Sequence, residues 1–228
     1  MHVPDGFLDA PTSIATGVVA AAGVAVALRG ARRELDDRTA PMAGLVATFV
    51  FAGQMMNFPV GAGTSGHLLG GALAAVLVGP YTGVLCISVV LIVQALFMAD
   101  GGITALGTNI TLMAIVGVVV GWFVFRVVQS VLPKRLSMVP PAAAVAALVS
   151  VPVAASVFTL LFAIGGQAPV DTVKVFVAMV GWHTVIGVGE AVITGLVVAS
   201  VVAARPDLCY GARRVLGERE LEIRTRVA

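Results

Sequence analysis

Apolar residues run along the chain in long blocks separated by short polar or glycine-rich stretches. Most blocks are too uniformly apolar for the single buried stripe of a helix in water. A bilayer core of about 30 Å takes about 20 apolar helical residues, fewer where neighbours shield a broken segment. On that measure the pattern predicts seven spans, near 12–29, 42–58, 67–79, 82–98, 107–131, 141–165 and 173–204. The third, about 13 residues long, has the length of a broken or re-entrant segment. The expected fold class is all-α: a polytopic membrane protein of about seven transmembrane helices. A single transmembrane domain covers 1–204 and opens with a loop at 1–11, and a tail of mixed charge follows at 205–228, too short for a catalytic domain.

Composition makes lipid the solvent. Of 228 residues 59% are hydrophobic and 11% charged, with 26 glycines besides, more apolar matter than one globule of this size can bury. Charge then sets the orientation. With the N-terminus outside and the C-terminus inside, 13 of the 14 basic residues fall on inner segments and only Lys174 lies outside, as the positive-inside rule requires. Residues 1–11 hold Asp5 and Asp9 but no Lys or Arg, the reverse of a signal peptide, so the mature chain is expected to begin at Met1. A net charge of +2 offers no basic stripe for nucleic acid. Cys86 and Cys209 are too few for a disulfide or cysteine-zinc framework, and no lysine follows a glycine as a phosphate loop requires. No enzyme is expected, and if the protein moves something, its own chain does not hydrolyse the ATP.

The histidines His2, His67 and His183 carry the chemistry. With an unblocked terminus, the Met1 amine, the deprotonated His2 amide nitrogen and the His2 Nδ1 are spaced to close one five-membered and one six-membered chelate ring on a single ion. Three nitrogens in one plane suit Ni²⁺, Cu²⁺ or Co²⁺, whereas Mg²⁺ and Ca²⁺ want oxygen. His67 is the obvious fourth donor. Pro4-Asp5-Gly6 is a turn signal that can fold the terminus back into a cavity. The plain alternative is a frayed terminus with His2 in water.

Other candidates have two readings each. Gly61-x-Gly63-x-x-Gly66 matches the dinucleotide fingerprint only formally, because a membrane span and not a strand precedes it. The segment is expected to be an outer loop in which Thr64 or Ser65 caps the third helix, with His67 in its first turn as ligand or as interfacial residue. Asp100, in the loop Ala99-Asp100-Gly101-Gly102, orients an imidazole or serves the turn. His183 and Glu190 share one face of the seventh span, about 10 Å apart along the axis. Groups at that depth normally face the interior. His183, about 15 Å from the outer end, is expected to tie helices together or line a path, since an ion at the outer surface is out of its reach. The same pair permits a proton-coupled secondary transporter. Gly17, Ala21 and Ala25 on span one, and Ala43 and Ala47 on span two, form small-residue faces for packing or for a partner subunit.

The chain resembles the CbiM/NikM family, the substrate-binding membrane components of energy-coupling-factor transporters for cobalt or nickel. The residues that carry the likeness are Met1-His2-Val3-Pro4-Asp5-Gly6-Phe7-Leu8, Gln54-Met55-Met56-Asn57-Phe58-Pro59, Gly63-Thr64-Ser65-Gly66-His67-Leu68-Leu69-Gly70-Gly71, Gln94-Ala95-Leu96, Ala99 to Gly107 and His183-x-x-Ile186-Gly187-x-Gly189-Glu190-Ala191. Where family members often have Pro-Gly-Gly, this chain has Gly61-Ala62-Gly63, which alters the loop and not the ligands. The resemblance implies seven helices, an outer N-terminal loop that plugs the centre, and Ni²⁺ or Co²⁺, as transported substrate, on the Met1 amine, the His2 amide and imidazole nitrogens and the His67 imidazole. Asp5, Asn57, Ser65, Asp100 and Asn109, with His183 and Glu190, are expected to support that site or its packing. The implied partners are a transmembrane coupling protein, a pair of cytoplasmic ATPases and a small auxiliary membrane subunit on a separate chain, in the plasma membrane of a prokaryote.

Overall fold

The computed structural model describes residues 1–36, 39–61 and 64–217. Arg38, Ala62-Gly63 and the tail beyond 217 lie outside the described residues. Helix α1 (Ala10–Ala31) starts at Asp9, whose carboxylate accepts from the Thr12 amide, with Pro11 in the first turn. There follow α2 (Ala40–Gln54), strands β1 (Phe58–Gly61) and β2 (Thr64–Gly66), α3 (Gly71–Val78), α4 (Pro80–Val93), α5 (Leu106–Asn109), α6 (Gly117–Val131), α7 (Val139–Gly165) and α8 (Thr172–Ala204). Two stretches widen to π-helical geometry: Gln94–Met98 extends α4, and Ile110–Val116 joins α5 to α6. Such turns recur at functional sites, and both of these flank the loop at 99–105.

Among the described residues, five continuous helical segments are long and apolar enough to cross a membrane: Ala10–Ala31, Pro80–Met98, Leu106–Val131, Leu136–Gly165 and Thr172–Ala204. Ala40–Gln54 is apolar but shorter. Helix α3 is shorter still, and all eight of its residues are buried. Its neighbours approach through small residues. A Cβ on Gly71 would come within 2.7 Å of the Gly117 carbonyl carbon, and one on Gly121 within 2.8 Å of Ala72. Where lipid removes the hydrophobic drive between helices, such close packing holds them together.

Met1 and the last described residues, up to 217, lie at opposite ends of the bundle. At the far end from Met1, the buried Glu34 accepts hydrogen bonds from the Tyr81 and Thr82 amides and the Thr82 hydroxyl, which caps α4. Residues 206–217 fold back there: the Gln129 side chain donates to the Gly211 carbonyl at 3.0 Å, and Cys209 and Ala212 are fully buried.

Two expectations change. In the expected outer loop, residues 58–61 pair antiparallel with residues 64–66, Phe58 opposite Gly66 and Pro59 opposite Ser65. The third helix therefore begins at Gly71 and not at His67, and neither Thr64 nor Ser65 caps it. Gly70, in the left-handed region at φ 77, turns the chain between the hairpin and the helix.

Candidate metal centre

Local turns bring the terminus inward. The Phe7 amide donates to the Pro4 carbonyl at 3.3 Å across a turn with Gly6 at φ 74, the position where a type II turn needs positive φ. Beyond it, the Asp9 amide donates to the Gly165 carbonyl at 2.7 Å and the Gln167 amide to the Phe7 carbonyl at 3.0 Å. The Phe7 ring seats against Phe158 and Phe162 at the end of α7. Residues 1–3 are thereby driven into the bundle. Met1 and Val3 are fully buried and His2 is 5% exposed, so the terminus is not frayed.

Polar groups hold it there. Asn109, at the end of α5, accepts from the Val3 amide at 2.7 Å and donates to the Val3 carbonyl at 3.2 Å, and the Gly102 amide also donates to that carbonyl at 2.9 Å. The Asp5 carboxylate accepts from both the amide and the hydroxyl of Thr104, which holds it below the usual carboxylate range. A Cβ on Gly102 would overlap the Asp5 amide and carboxylate, so a side chain there is incompatible with this contact.

The buried end of this segment meets His67. The His2 and His67 rings stack with centroids 4.5 Å apart and planes at 25°. His2 Nδ1 lies 3.0 Å from Asp100 Oδ1, and this contact holds the carboxylate below its usual range. Asn57 Nδ2 donates to the same oxygen at 3.4 Å. His67 Nδ1 lies 2.7 Å from the Leu68 carbonyl. A carbonyl only accepts, so Nδ1 carries the proton and Nε2 keeps its lone pair. His183 likewise keeps a bare Nε2, because its Nδ1 donates to the Met179 carbonyl at 2.8 Å. The Nε2 atoms of His2, His67 and His183 are all buried without a hydrogen-bond partner.

The electrostatics suit ligation. Burial pushes the Met1 amine down from 8.0 to about 4, so it is neutral at physiological pH. Burial first, then the adjacent amine and His2, push His67 well below its ordinary value. Late first-row divalent ions take such uncharged nitrogens. Among the described residues no three His, Cys, Asp or Glu side chains come together as a metal cluster. In this conformation His2 Nδ1 faces Asp100, and closing the six-membered chelate ring takes it off that carboxylate.

Of the residues singled out in the sequence, Met1, His2, His67, Asp100 and Asn57 are in contact at one place, and Asp5 and Asn109 fix the segment that brings two of them there. Ser65 is placed by the hairpin. His183 is not remote as expected: the terminus descends to its depth, close enough for His183 to interact electrostatically with the amine and with His67. Glu190 is buried on the same stripe of α8 as His183, and its oxygens accept from the Leu69 and Gly70 amides at 2.7 and 2.9 Å. Sequence reasoning missed Gln54 and Thr104. A glutamine at the end of an apolar span was the available signal for the first, and nothing marked the second.

Residues 2–208 match the family described as the cobalt uptake substrate-specific transmembrane region, CbiM. The chain is 34% identical to the cobalt transport protein CbiM of Sorangium cellulosum, over 91% of this chain and 94% of that one. It is 41% identical to a protein of Archaeoglobus fulgidus provisionally named a fused nickel transport protein, NikMN, over 91% of this chain and 68% of that one. The crystal structure of a truncated transition metal transporter superposes with a TM-score of 0.83 at 28% identity, covering 89% of this chain and 99% of the other.

Proposed function

Because the chain belongs to the CbiM family of cobalt and nickel uptake components, multi-pass proteins of prokaryotic membranes, we propose that it captures Ni²⁺ or Co²⁺ from outside the cell as the substrate-binding part of an ATP-driven importer. The metal is cargo. Its ligands are the Met1 amine, the His2 amide and Nδ1, and His67 Nε2. The observation that carries this reading is a neutral, fully buried terminal amine beside two stacked imidazoles with unpartnered nitrogens. Nitrogen count and planarity set selectivity, since affinity alone favours Cu²⁺.

In this reading Ala40–Gln54 and Gly71–Val78 join the five longer segments to make seven crossings, N-terminus outside and C-terminus inside. Residues 1–204 form one transmembrane domain, and 205–228 belong to the cytoplasm. Energy comes from a transmembrane coupling protein and a pair of cytoplasmic ATPases, with a small auxiliary subunit. The fused relative from Archaeoglobus fulgidus, longer than this chain, favours such added components. A proton-coupled transporter working through His183 and Glu190 is less well supported, because both Glu190 oxygens are engaged by backbone amides.

The test is calorimetry with Ni²⁺ and Co²⁺ on protein with a native terminus, beside a variant with one alanine inserted between Met1 and His2. The insertion keeps every ligand type and changes the chelate spacing. Affinity collapses for the variant if the terminal site is right. Equal binding by both chains, or by neither, overturns it.

A further inference from the structure

Nothing in the ligand set explains why Glu190, a carboxylate deep in the membrane-spanning part of α8, should be present at all. An isolated charge in that position is expensive and persists only with partners. Its partners here are two consecutive backbone amides, Leu69 at 2.7 Å and Gly70 at 2.9 Å, one to each oxygen. From the other side, Gln54 Nε2 at the end of α2 donates to the Leu69 carbonyl at 2.9 Å. Both clamping side chains are buried, Glu190 at 2% exposure and Gln54 at none. The clamped residues lie two and three positions after His67, in the stretch between the hairpin and α3, where the Gly70 carbonyl also accepts from the Ala74 amide at 2.9 Å.

We propose that Glu190 and Gln54 are positioning residues for His67: they fix the backbone of Leu69 and Gly70, and through it the direction in which His67 Nε2 points. This deepens the metal-site reading above and rests on His67 being a ligand. The clamp joins α8 to α2, and a groove of about 660 Å³ between those helices, lined by Met55, Leu68 and Trp182, reaches Glu190 itself. Any movement of α8 relative to α2 therefore acts on the segment that carries a ligand. That gives the fold a way to draw His67 off the ion during inward release, the His2 amide nitrogen regaining its proton as the ion leaves.

The experiment is a double-mutant cycle on the full chain with a native terminus, reading Ni²⁺ and Co²⁺ affinity by calorimetry, with thermal unfolding as the control for folding. Glu190→Gln keeps the volume but sets an NH₂ group against one of the two amides. It is expected to weaken binding by about 10–100-fold, the range for groups that orient metal ligands. In the His67→Ala background it is expected to cost nothing more, because there is no ligand left to aim. Gln54→Met, near in volume and without the donor, follows the same course with a smaller loss, and decides the matter if Glu190→Gln does not fold. Unchanged affinity in the foldable single variant, or losses that add to that of His67→Ala, overturn the positioning role while leaving the metal site intact. His67→Ala binding as well as the unaltered chain overturns the site and the positioning role together.

Discussion

The imidazole of His2 stacks on that of His67, centroids 4.5 Å apart and planes 25° from parallel. The contact joins the second residue of the chain to the segment between the hairpin and α3. Neither ring can then be lost without disturbing the other. Replacing His2 or His67 with alanine is expected to lower Ni²⁺ and Co²⁺ affinity by at least about 100-fold. Calorimetry on the two variants checks this, and a loss confined to one of them would break the pairing.

The Met1 amine titrates far below its ordinary value, and the sign of the consequence follows. Unfolded, it binds a proton below about 8.0; folded, only below about 4. Between those values the unfolded state holds more protons, so stability rises with pH from 4 to 8 and levels off on either side. Unfolding midpoints of the metal-free protein in micelles, taken across that window, should show this rise. A chain whose terminal amine is acetylated should lose it.

Gly102 is where the loop at 99–104 and the N-terminal segment touch without room for a side chain. Gly102→Ala is expected to push Asp5 off Thr104 and raise the metal off-rate, with little change in the unfolding midpoint because the helices are untouched. Limited proteolysis with mass detection would show the first residues becoming accessible. A variant as protected as the unaltered chain would remove the clasp from the argument.

Asn109 makes the two hydrogen bonds that a neighbouring strand would make to Val3. Asn109→Leu leaves the buried Val3 amide unpaired, at a cost of about 1–3 kcal/mol, which corresponds to about 5–150-fold in metal affinity if the docked terminus is what binds. Asn109→Asp keeps the acceptor for the amide but turns a second acceptor on the carbonyl, and is expected to do no better.

The bundle was legible because spans in lipid write themselves as long apolar runs, and a helix overlaps each predicted segment. The third was misjudged at its start. Thr64-Ser65 ahead of an apolar run reads as a helix cap, but residues 58–61 offered their backbone to 64–66, and Gly70 in the left-handed region turned the chain before Gly71 could begin the helix. His2 and His67 were legible from chelate arithmetic. The nearness of His183 was not, because depth along α8 was measured against an ion at the membrane surface, whereas the turn at Pro4 to Phe7 carries the terminus inward. The partners of Glu190 were out of reach of sequence reasoning, since backbone amides leave no mark in it.

A plane of four nitrogens, one of them a deprotonated amide, is a strong equatorial field. In such a field Ni²⁺ pairs all its electrons and is diamagnetic, whereas six-coordinate oxygen and nitrogen sites leave it paramagnetic. The Ni²⁺-loaded protein is therefore expected to give proton spectra free of paramagnetic shifts and to be yellow from a visible ligand-field band, and His67→Ala, with water in the fourth place, to shift that band to longer wavelength. Acidification should bleach it as the amide regains its proton, well before the bundle unfolds. A paramagnetic complex in the unaltered chain would mean that the amide never gave up its proton, and the terminal chelate would then not be what holds the ion.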